Sequence, residues 1–322
     1  MPPRAGRKWR RVARSVARAP LDAPATAGTD SAPMTNATVG GPVPAPALDE
    51  PQRLYLDLLK KTLTRFVTGG GAWQPVEAPL GLAKRLLFRP VAALAGLAGL
   101  RLARPAPFDP GARTEGRDWP ADAETMIGLR RLDNLEAAIV DVVRRGVPGD
   151  LVETGVWRGG AVIFMRGVLR ALGDRTRNVW ACDSFAGLPP PDAARYPGDA
   201  GDPHHTFSNL VVTQEQVQAN VARYGLLDAR VRFLPGWFRD TLPGAPIEGI
   251  SVLRLDGDMY ESTIVALESL YPKLSPGGYL IVDDYGAVPA CRQAVEDYRR
   301  QHGIDAPIHG IDWTGVYWRR EG

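Results

Sequence analysis

The sequence is poor in cysteine, since only Cys182 and Cys291 occur among its 322 residues and neither belongs to a CxxC pair. The lack of paired cysteines argues against a cysteine zinc site, and two isolated thiols do not indicate a disulfide framework. Cys182 lies in an apolar run that predicts a buried strand, where cysteine acts as a small core residue. This usage is typical of a reducing compartment, and we expect a cytoplasmic protein.

The sequence also lacks a long hydrophobic run. The best candidate, residues 91–100, is interrupted by Pro90 on one side and Arg101 on the other, and it falls well short of the ~20 residues that cross a bilayer. We therefore predict no membrane span. An amphipathic helix that lies on a membrane or on a partner protein is the alternative for this segment. After the basic start, no continuous apolar segment of a secretory signal follows.

The sequence has no large excess of either charge, since 39 basic and 36 acidic residues give a formal net charge of +3. The excess is concentrated before the first acidic residue, Asp22, and beyond that segment the charges nearly cancel. The absence of an overall basic field argues against a nucleic-acid partner. The basic residues of the first segment are Arg4, Arg7, Lys8, Arg10, Arg11, Arg14 and Arg18.

Composition and the spacing of apolar residues divide the chain into three parts. Residues 1–50 are rich in Pro, Ala, Thr and Gly, and we predict a disordered tail. Residues 51–117 form a helical N-terminal extension with a variable insert at 79–105, and the spacing of its leucines predicts a helix over 52–68. Residues 118–322 have the composition of one compact domain.

Within the compact part, predicted strands and helices alternate. This alternation predicts an α/β fold with a mostly parallel, doubly wound sheet and right-handed crossovers. Such sheets bind ligands beyond the carboxyl ends of their strands. The predicted strands are 151–154, 179–183, 231–234, 250–255 and 279–282, and the predicted helices are 126–144, 161–172, 214–224, 262–274 and 290–302. The Pro-Gly-Gly run at 276–278 predicts the turn into the last strand.

Carboxylates follow two of these strands in pairs. Asp256 and Asp258 come after the strand at 250–255, and Asp283 and Asp284 come after the strand at 279–282. Aspartate is unfavourable in strands and costly to bury without a partner. The pattern favours a hard-cation site with one carboxylate left for proton transfer. Ordinary turn aspartates are the alternative.

The turn after the first predicted strand suggests a cofactor. Its pattern is GxxxGG, and Trp157 occupies the place where a dinucleotide-binding turn has its second glycine, which disfavours NAD or FAD. Glu153 before the turn disfavours a phosphate and suits a positive centre such as the amino group of S-adenosylmethionine. Asp183, which ends the next strand, can accept hydrogen bonds from ribose hydroxyls. Trp237 and Phe238 either line an adenine pocket or belong to the core.

Eight short segments together make the sequence resemble one enzyme family. The family is that of the macrocin O-methyltransferases, which includes enzymes that methylate sugar hydroxyls of antibiotics, and the resemblance covers roughly residues 115–319. The segments are DWP at 118–120, TMIG at 125–128, VPGD at 147–150, ETGVWRGG at 153–160, DSFAGLP at 183–189, GWF at 236–238, LDGDMYEST at 255–263 and DDY at 283–285.

The resemblance implies a class I, Rossmann-like methyltransferase that depends on S-adenosylmethionine and Mg²⁺. Its substrate would be a small-molecule glycoside or other glycan with vicinal hydroxyls, and its assembly a homodimer. Asp258 would be the general base, and the metal ligands would be Asp256, Asp283 and Asp284. The cofactor-binding residues would be Met126, Glu153, Thr154, Gly155, Gly159, Asp183, Ser184, Trp237 and Asp256.

Three alternatives remain open from the sequence. His204 or His205, in a Gly-, Asp- and Pro-rich loop at 198–206, could act as the base or lie in a mobile surface loop. A nucleotide-dependent oxidoreductase could use the same sheet, although Trp157 argues against it. A non-catalytic module of the same fold is the third alternative, which the four intact aspartates disfavour because clustered carboxylates repel each other.

Overall fold

The computed structural model describes residues 48–69, 73–75, 82–97, 102–105 and 107–322. The tail predicted to be disordered lies outside these ranges up to residue 47. Helix α1, Glu50–Leu63, is preceded by Asp49, whose side chain caps it by accepting a hydrogen bond from the Gln52 N–H. It ends earlier than the predicted 52–68, and Arg65, with φ of 56°, turns the chain away from the helical path.

The remaining elements alternate largely as the sequence predicts. Their bounds are β1 Trp73–Pro75, α2 Leu82–Leu97, β2 Ala103–Pro105, α3 Pro110–Thr114, α4 Leu129–Arg144, β3 Asp150–Thr154, α5 Gly160–Ala171, β4 Val179–Asp183, α6 Gln214–Arg223, β5 Val231–Pro235, α7 Phe238–Thr241, β6 Ile250–Leu255, α8 Tyr260–Leu270, β7 Leu274–Val282, α9 Pro289–His302, β8 His309–Gly310 and β9 Val316–Arg319.

The main sheet has seven strands in the order β5-β4-β3-β6-β7-β9-β8. Strands β3 to β7 are parallel, and β9 pairs antiparallel with both β7 and β8. The predicted α/β class with a mostly parallel, doubly wound sheet is therefore confirmed. Because β6 and β7 are neighbours, their carboxyl ends bring Asp256 and Asp283 to one edge of the sheet.

Two element boundaries and one turn differ from the prediction. Helix α4 begins at Leu129 instead of 126, because Gly128 is its N-cap and has an extended backbone with ψ of 178°. Helix α8 ends at Leu270 instead of 274, and a 3₁₀ turn containing Pro272 follows. The predicted turn at 276–278 is instead an irregular part of β7, where the pairing with β6 shifts register.

Alternate side chains of the strands pack on the two faces of the sheet. One face contacts α4 and α5, and the leucines Leu56, Leu59 and Leu63 of α1 join this cluster. Helix α1 packs closely on α5, since a Cβ at Gly167 would lie 2.4 Å from Leu59. The other face contacts α8 and α9. The N-terminal helix is therefore part of the same core as the sheet.

Among the helices that the structure describes, none combines the length and the apolar character needed to cross a bilayer.

Candidate active site

A cavity opens beyond the carboxyl ends of β3, β4 and β6. It brings together residues that are far apart in the sequence, including the candidate base Asp258 and several predicted cofactor-binding residues. The predicted site residues that line it are Met126, Gly155, Asp183, Ser184, Trp237, Asp256 and Asp258. Trp157, Phe238 and Glu261 also contribute to its wall. The sheet edge that the sequence predicts as the site is therefore concave.

Gly155 is the point where the turn after β3 meets the end of β6. Its φ is +85°, and a Cβ built on it would lie 1.6 Å from the carbonyl oxygen of Asp256. No side chain fits there, and only glycine adopts this φ without cost. The close approach fixes the cofactor turn directly against the strand end that carries Asp256.

Asp183 holds the glycine turn in place. Its Oδ2 accepts a hydrogen bond from the Val156 N–H at 2.6 Å, and its Oδ1 accepts one from the Phe185 N–H at 2.7 Å. Burial raises the pKa of Asp183, and these backbone N–H groups oppose the rise. Two bulky residues beside it have positive φ, Trp157 at 45° and Phe185 at 54°, so the backbone here is strained for its residue types.

Arg254 is a buried cation at the centre of the site, and sequence reasoning missed it. Its guanidinium is 2 % exposed and donates to Glu153 at 2.6 Å, to Asp256 at 2.9 Å and to Asp283 at 2.5 Å. The signal in the sequence is an arginine within a strand whose neighbours are almost all apolar. A buried charge of this kind requires partners.

A second arginine reaches the same carboxylates from α4. Arg131 donates to Asp283 and, at 2.9 Å, to Asp312. Burial acts to raise the pKa of Asp283, but the two guanidinium groups hold it below its usual range. Asp283 is therefore ionised and oriented by two fixed cations.

The three candidate metal ligands are close together. One oxygen from each of Asp256, Asp283 and Asp284 lies within 4.8 Å of the others. Burial and then the Asp283 carboxylate raise the pKa of Asp256 to about 7. Burial and then the Asp258 carboxylate raise the pKa of Asp284 well above its ordinary value. A set of hard oxygen donors that repel each other fits a divalent cation, which would relieve the repulsion.

Asp258 adopts an unusual backbone conformation between these groups. Its φ is 57°, and its backbone N–H donates to Oδ2 of Asp284 at 3.1 Å. Burial raises the pKa of Asp258, while the positive charge of a protonated His204 would lower it. A carboxylate held at the wall of the cavity, with its pKa moved toward neutrality, is suited to accept a proton.

The loop that carries the histidines is attached to the site. Asp199 is 1 % exposed and accepts hydrogen bonds from the N–H groups of Tyr260 and Glu261, at 2.6 and 2.9 Å, at the start of α8. Asp202 then contacts the His204 ring at 2.9 Å. This attachment argues against a free surface loop, and it holds the His204 ring near Asp258.

Three predicted cofactor-binding residues lie outside the lining of the cavity. Glu153 and Thr154 are buried in β3, and the Glu153 Oε2 and Thr154 Oγ1 have no hydrogen-bond partner within the described part of the chain. Burial raises the pKa of Glu153 to about 8, although Arg254 opposes the rise. Gly159 precedes α5 with φ of +88° and packs on Val217. A direct contact of these three with a cofactor stays a prediction.

Comparison with known proteins gives consistent matches. Residues 52–320 match the family model described as macrocin O-methyltransferase (TylF). The chain is 50 % identical over 272 residues to a tetracenomycin-C rhamnosyl 4'-O-methyltransferase of Streptomyces olivaceus, covering 84 % of this chain and 94 % of the relative. It is 47 % identical over 270 residues to the mycinamicin III 3''-O-methyltransferase of Micromonospora griseorubida, covering 83 % and 96 %. The structure of the O-methyltransferase NovP aligns with a TM-score of 0.72 at 46 % identity, covering 84 % of this chain and all of that one.

Proposed function

Because the chain belongs to the macrocin O-methyltransferase family and is therefore an O-methyltransferase, we propose that it methylates a hydroxyl of a sugar within a glycosylated natural product or another glycan. According to its name, one relative methylates a tetracenomycin that carries a rhamnosyl group, and the other methylates mycinamicin III. These names support this acceptor class. The observation that carries the proposal is the position of Asp258, which shares one cavity with Gly155 and Asp183.

S-adenosylmethionine is the methyl donor that the fold is built to bind, and we assign the cavity to it. Gly155 brings the backbone of the turn close to the cavity, and Asp183 lies at the end of β4, where a carboxylate can accept hydrogen bonds from ribose hydroxyls. Trp237 and Met126 add an apolar wall that suits an adenine ring. The proposed roles of Glu153, Thr154 and Gly159 rest on the family resemblance.

The carboxylates Asp256, Asp283 and Asp284 would hold Mg²⁺. Three observations support this assignment. The oxygens of the three side chains lie close together, carboxylate oxygens are hard donors, and the pKa values of Asp256 and Asp284 are raised. When bound, the metal would supply a Lewis acid that lowers the pKa of the acceptor hydroxyl and orients vicinal hydroxyls. Arg254 and Arg131 keep Asp283 ionised and prevent its side chain from turning away.

Asp258 would accept the proton of the acceptor hydroxyl. The hydroxyl oxygen forms a bond to the methyl carbon while the bond between that carbon and sulfur breaks, and the sulfonium becomes a neutral thioether. The released proton moves to the Asp258 carboxylate, so charge and atoms balance. The hydrogen bond between the Asp258 N–H and Asp284 fixes the backbone of the base relative to the metal ligands. His204, paired with Asp202, is the alternative base.

We further infer a cytoplasmic protein and a homodimer. Both cysteines are unpaired and buried, which suits a reducing compartment. The homodimer rests on the family resemblance alone, and sedimentation velocity would test it.

The deciding experiment is a search for methylated product. The purified protein is incubated with S-adenosylmethionine and a panel of glycosides that carry vicinal hydroxyls, with and without Mg²⁺, and the products are analysed by mass spectrometry. A product heavier by one CH₂ unit on a sugar, formed only with Mg²⁺, supports the proposal. Methylation restricted to a non-sugar hydroxyl would overturn the acceptor class.

A further inference from the structure

Strands β1 and β2 bring the two ends of residues 73–105 together. The two strands pair antiparallel, with Trp73 opposite Pro105 and Pro75 opposite Ala103. Helix α2, Leu82–Leu97, lies between them in the sequence. We call residues 73–105 the α2 excursion. Its two-stranded base lets the helix present a surface without interrupting the methyltransferase fold.

The second half of α2 exposes large aliphatic side chains. Val91 is 54 % exposed, Leu94 is 72 % exposed and Leu97 is 87 % exposed. None of residues 88–97 is buried. Single exposed leucines are common on protein surfaces, but three large side chains at spacings of three on one helix form a contiguous apolar surface. Such a surface is stabilised when another apolar phase covers it.

Beyond Glu77, the charged residues of the α2 excursion are all basic. No acidic residue occurs between Glu77 and Asp109, whereas basic residues occur at Lys84, Arg85, Arg89, Arg101 and Arg104. Arg89, two positions before Val91, is exposed on the same helix. An exposed apolar surface on a helix with an exposed arginine, in a stretch whose other charged residues are basic in the sequence, is typical of helices that lie in the interface of an anionic bilayer.

We propose that the α2 excursion binds the surface of a membrane containing anionic lipids, with Val91, Leu94 and Leu97 inserted among the acyl chains and Arg89 at the headgroups. The helix has 16 residues, too few to span the ~30 Å hydrocarbon core, so it lies parallel to the surface. A second copy of the chain fits this surface less well, because a symmetric pair places the same patch on both sides, and α2 carries cations but no acidic residue to pair with them.

Vesicle co-sedimentation tests the proposal on the full chain. Wild-type protein is mixed with vesicles of phosphatidylcholine alone or of phosphatidylcholine with phosphatidylglycerol. We expect binding to the anionic vesicles that weakens as NaCl is raised. Leu94→Asp should reduce the binding constant by about tenfold or more. Leu227→Asp, at another exposed leucine (41 % exposed), is the matched control and should leave binding unchanged.

A fluorescent label gives an independent readout. Cys182 and Cys291 are buried, so an environment-sensitive thiol dye attaches selectively to a Leu94→Cys variant. Its emission should shift to shorter wavelength with anionic vesicles, and the same dye on Leu227→Cys should not shift. Because Leu94 and Leu227 are exposed, neither change should lower the thermal midpoint.

Three results would overturn the proposal. The first is that the wild type does not associate with anionic vesicles. The second is that Leu94→Asp and Leu227→Asp lose binding equally. The third is that sedimentation velocity shows a wild-type oligomer that Leu94→Asp dissociates. The last result would instead assign the surface to a second copy. These measurements involve no methyl transfer, so they stand apart from the proposed enzymatic function.

Discussion

The backbone N–H of Asp258 donates a hydrogen bond to Oδ2 of Asp284 at 3.1 Å. Asp258 follows β6 and Asp284 follows β7, so this bond joins the ends of two neighbouring strands. It also holds Asp258 at a φ of 57°, a conformation that costs free energy and that persists only where the surroundings enforce it. The candidate base and one candidate metal ligand are therefore positioned by each other.

Replacing Asp258 by asparagine should separate binding from chemistry. Asparagine keeps the shape and tolerates positive φ, but it cannot take the proton. We expect turnover to fall by about 10²–10⁴-fold, the usual size of a general-base contribution. Titration calorimetry should give an unchanged affinity for S-adenosylmethionine.

His204→Gln is the companion variant, because it removes the ring beside Asp202 and leaves Asp258 intact. Its turnover should stay within about tenfold of wild type. A large loss in His204→Gln together with near wild-type turnover in Asp258→Asn would transfer the role of base to the histidine.

Metal binding should be visible in thermal stability as well as in activity. A ligand that binds only the folded state raises its stability by mass action, by about 2.7 kcal/mol at a hundred times its dissociation constant. We expect Mg²⁺ to raise the melting midpoint of the wild type and a chelator to abolish its turnover.

Asp284→Asn should remove the Mg²⁺-dependent rise. The metal-free variant should be at least as stable as the metal-free wild type, because the substitution relieves repulsion from Asp256 and Asp258. Full methyl transfer by the wild type in excess chelator would contradict the metal assignment.

Arg254→Met should be strongly destabilising. It removes one of the two guanidinium groups that pair with the buried, ionised Asp283, and breaking a buried ion pair by removing one partner costs about 3–5 kcal/mol. Urea unfolding followed by circular dichroism measures the change.

Arg300→Met is the control for this measurement. It breaks an ion pair with Asp297 in which the arginine is 74 % exposed, and exposed pairs contribute about 0–1 kcal/mol. Equal effects of the two variants would show that the buried network contributes no more than a surface pair.

Gly155→Ala should damage the fold of the site. The new Cβ would meet the Asp256 carbonyl oxygen at 1.6 Å, so the turn after β3 must move away from β6. Gly173→Ala separates this clash from the cost of positive φ, since Gly173 has φ of +72° and open space around it.

We expect Gly173→Ala to cost about 1–2 kcal/mol of unfolding free energy and to keep cofactor affinity. Gly155→Ala should cost more and lose most of that affinity. If the two variants had similar stability and similar affinity for the cofactor, the contact between Gly155 and Asp256 would not contribute to function.

The sequence predicted the sheet and the edge that carries the site because both depend on local patterns. Apolar runs bounded by Gly, Pro and Asp mark the strands, and parallel strands place their carboxyl ends together. Asp183, Asp256 and Asp258 could thus be assigned to one edge from their positions alone. The assigned edge is the one at which the cavity opens.

The arginine network could not be predicted in the same way. Arg254 was recognised only as part of a strand, and Asp312 and Asp199 had no signal in the sequence that linked them to the site. Arg254 contacts Glu153 across 101 positions of the chain, and Arg131 contacts Asp283 across 152. Such pairs depend on which strands and helices become neighbours.

The sequence by itself therefore determined the alternation of strands and helices, the strand ends that carry the carboxylates and the cationic, apolar composition of the α2 excursion. Tertiary structure decided which carboxylates are neutralised, that Gly155 must be glycine and that Val91, Leu94 and Leu97 of α2 are exposed. The reason is that periodicity and turn chemistry act over a few residues, whereas charge pairing, close backbone approach and exposure depend on distances between segments that only the folded chain sets.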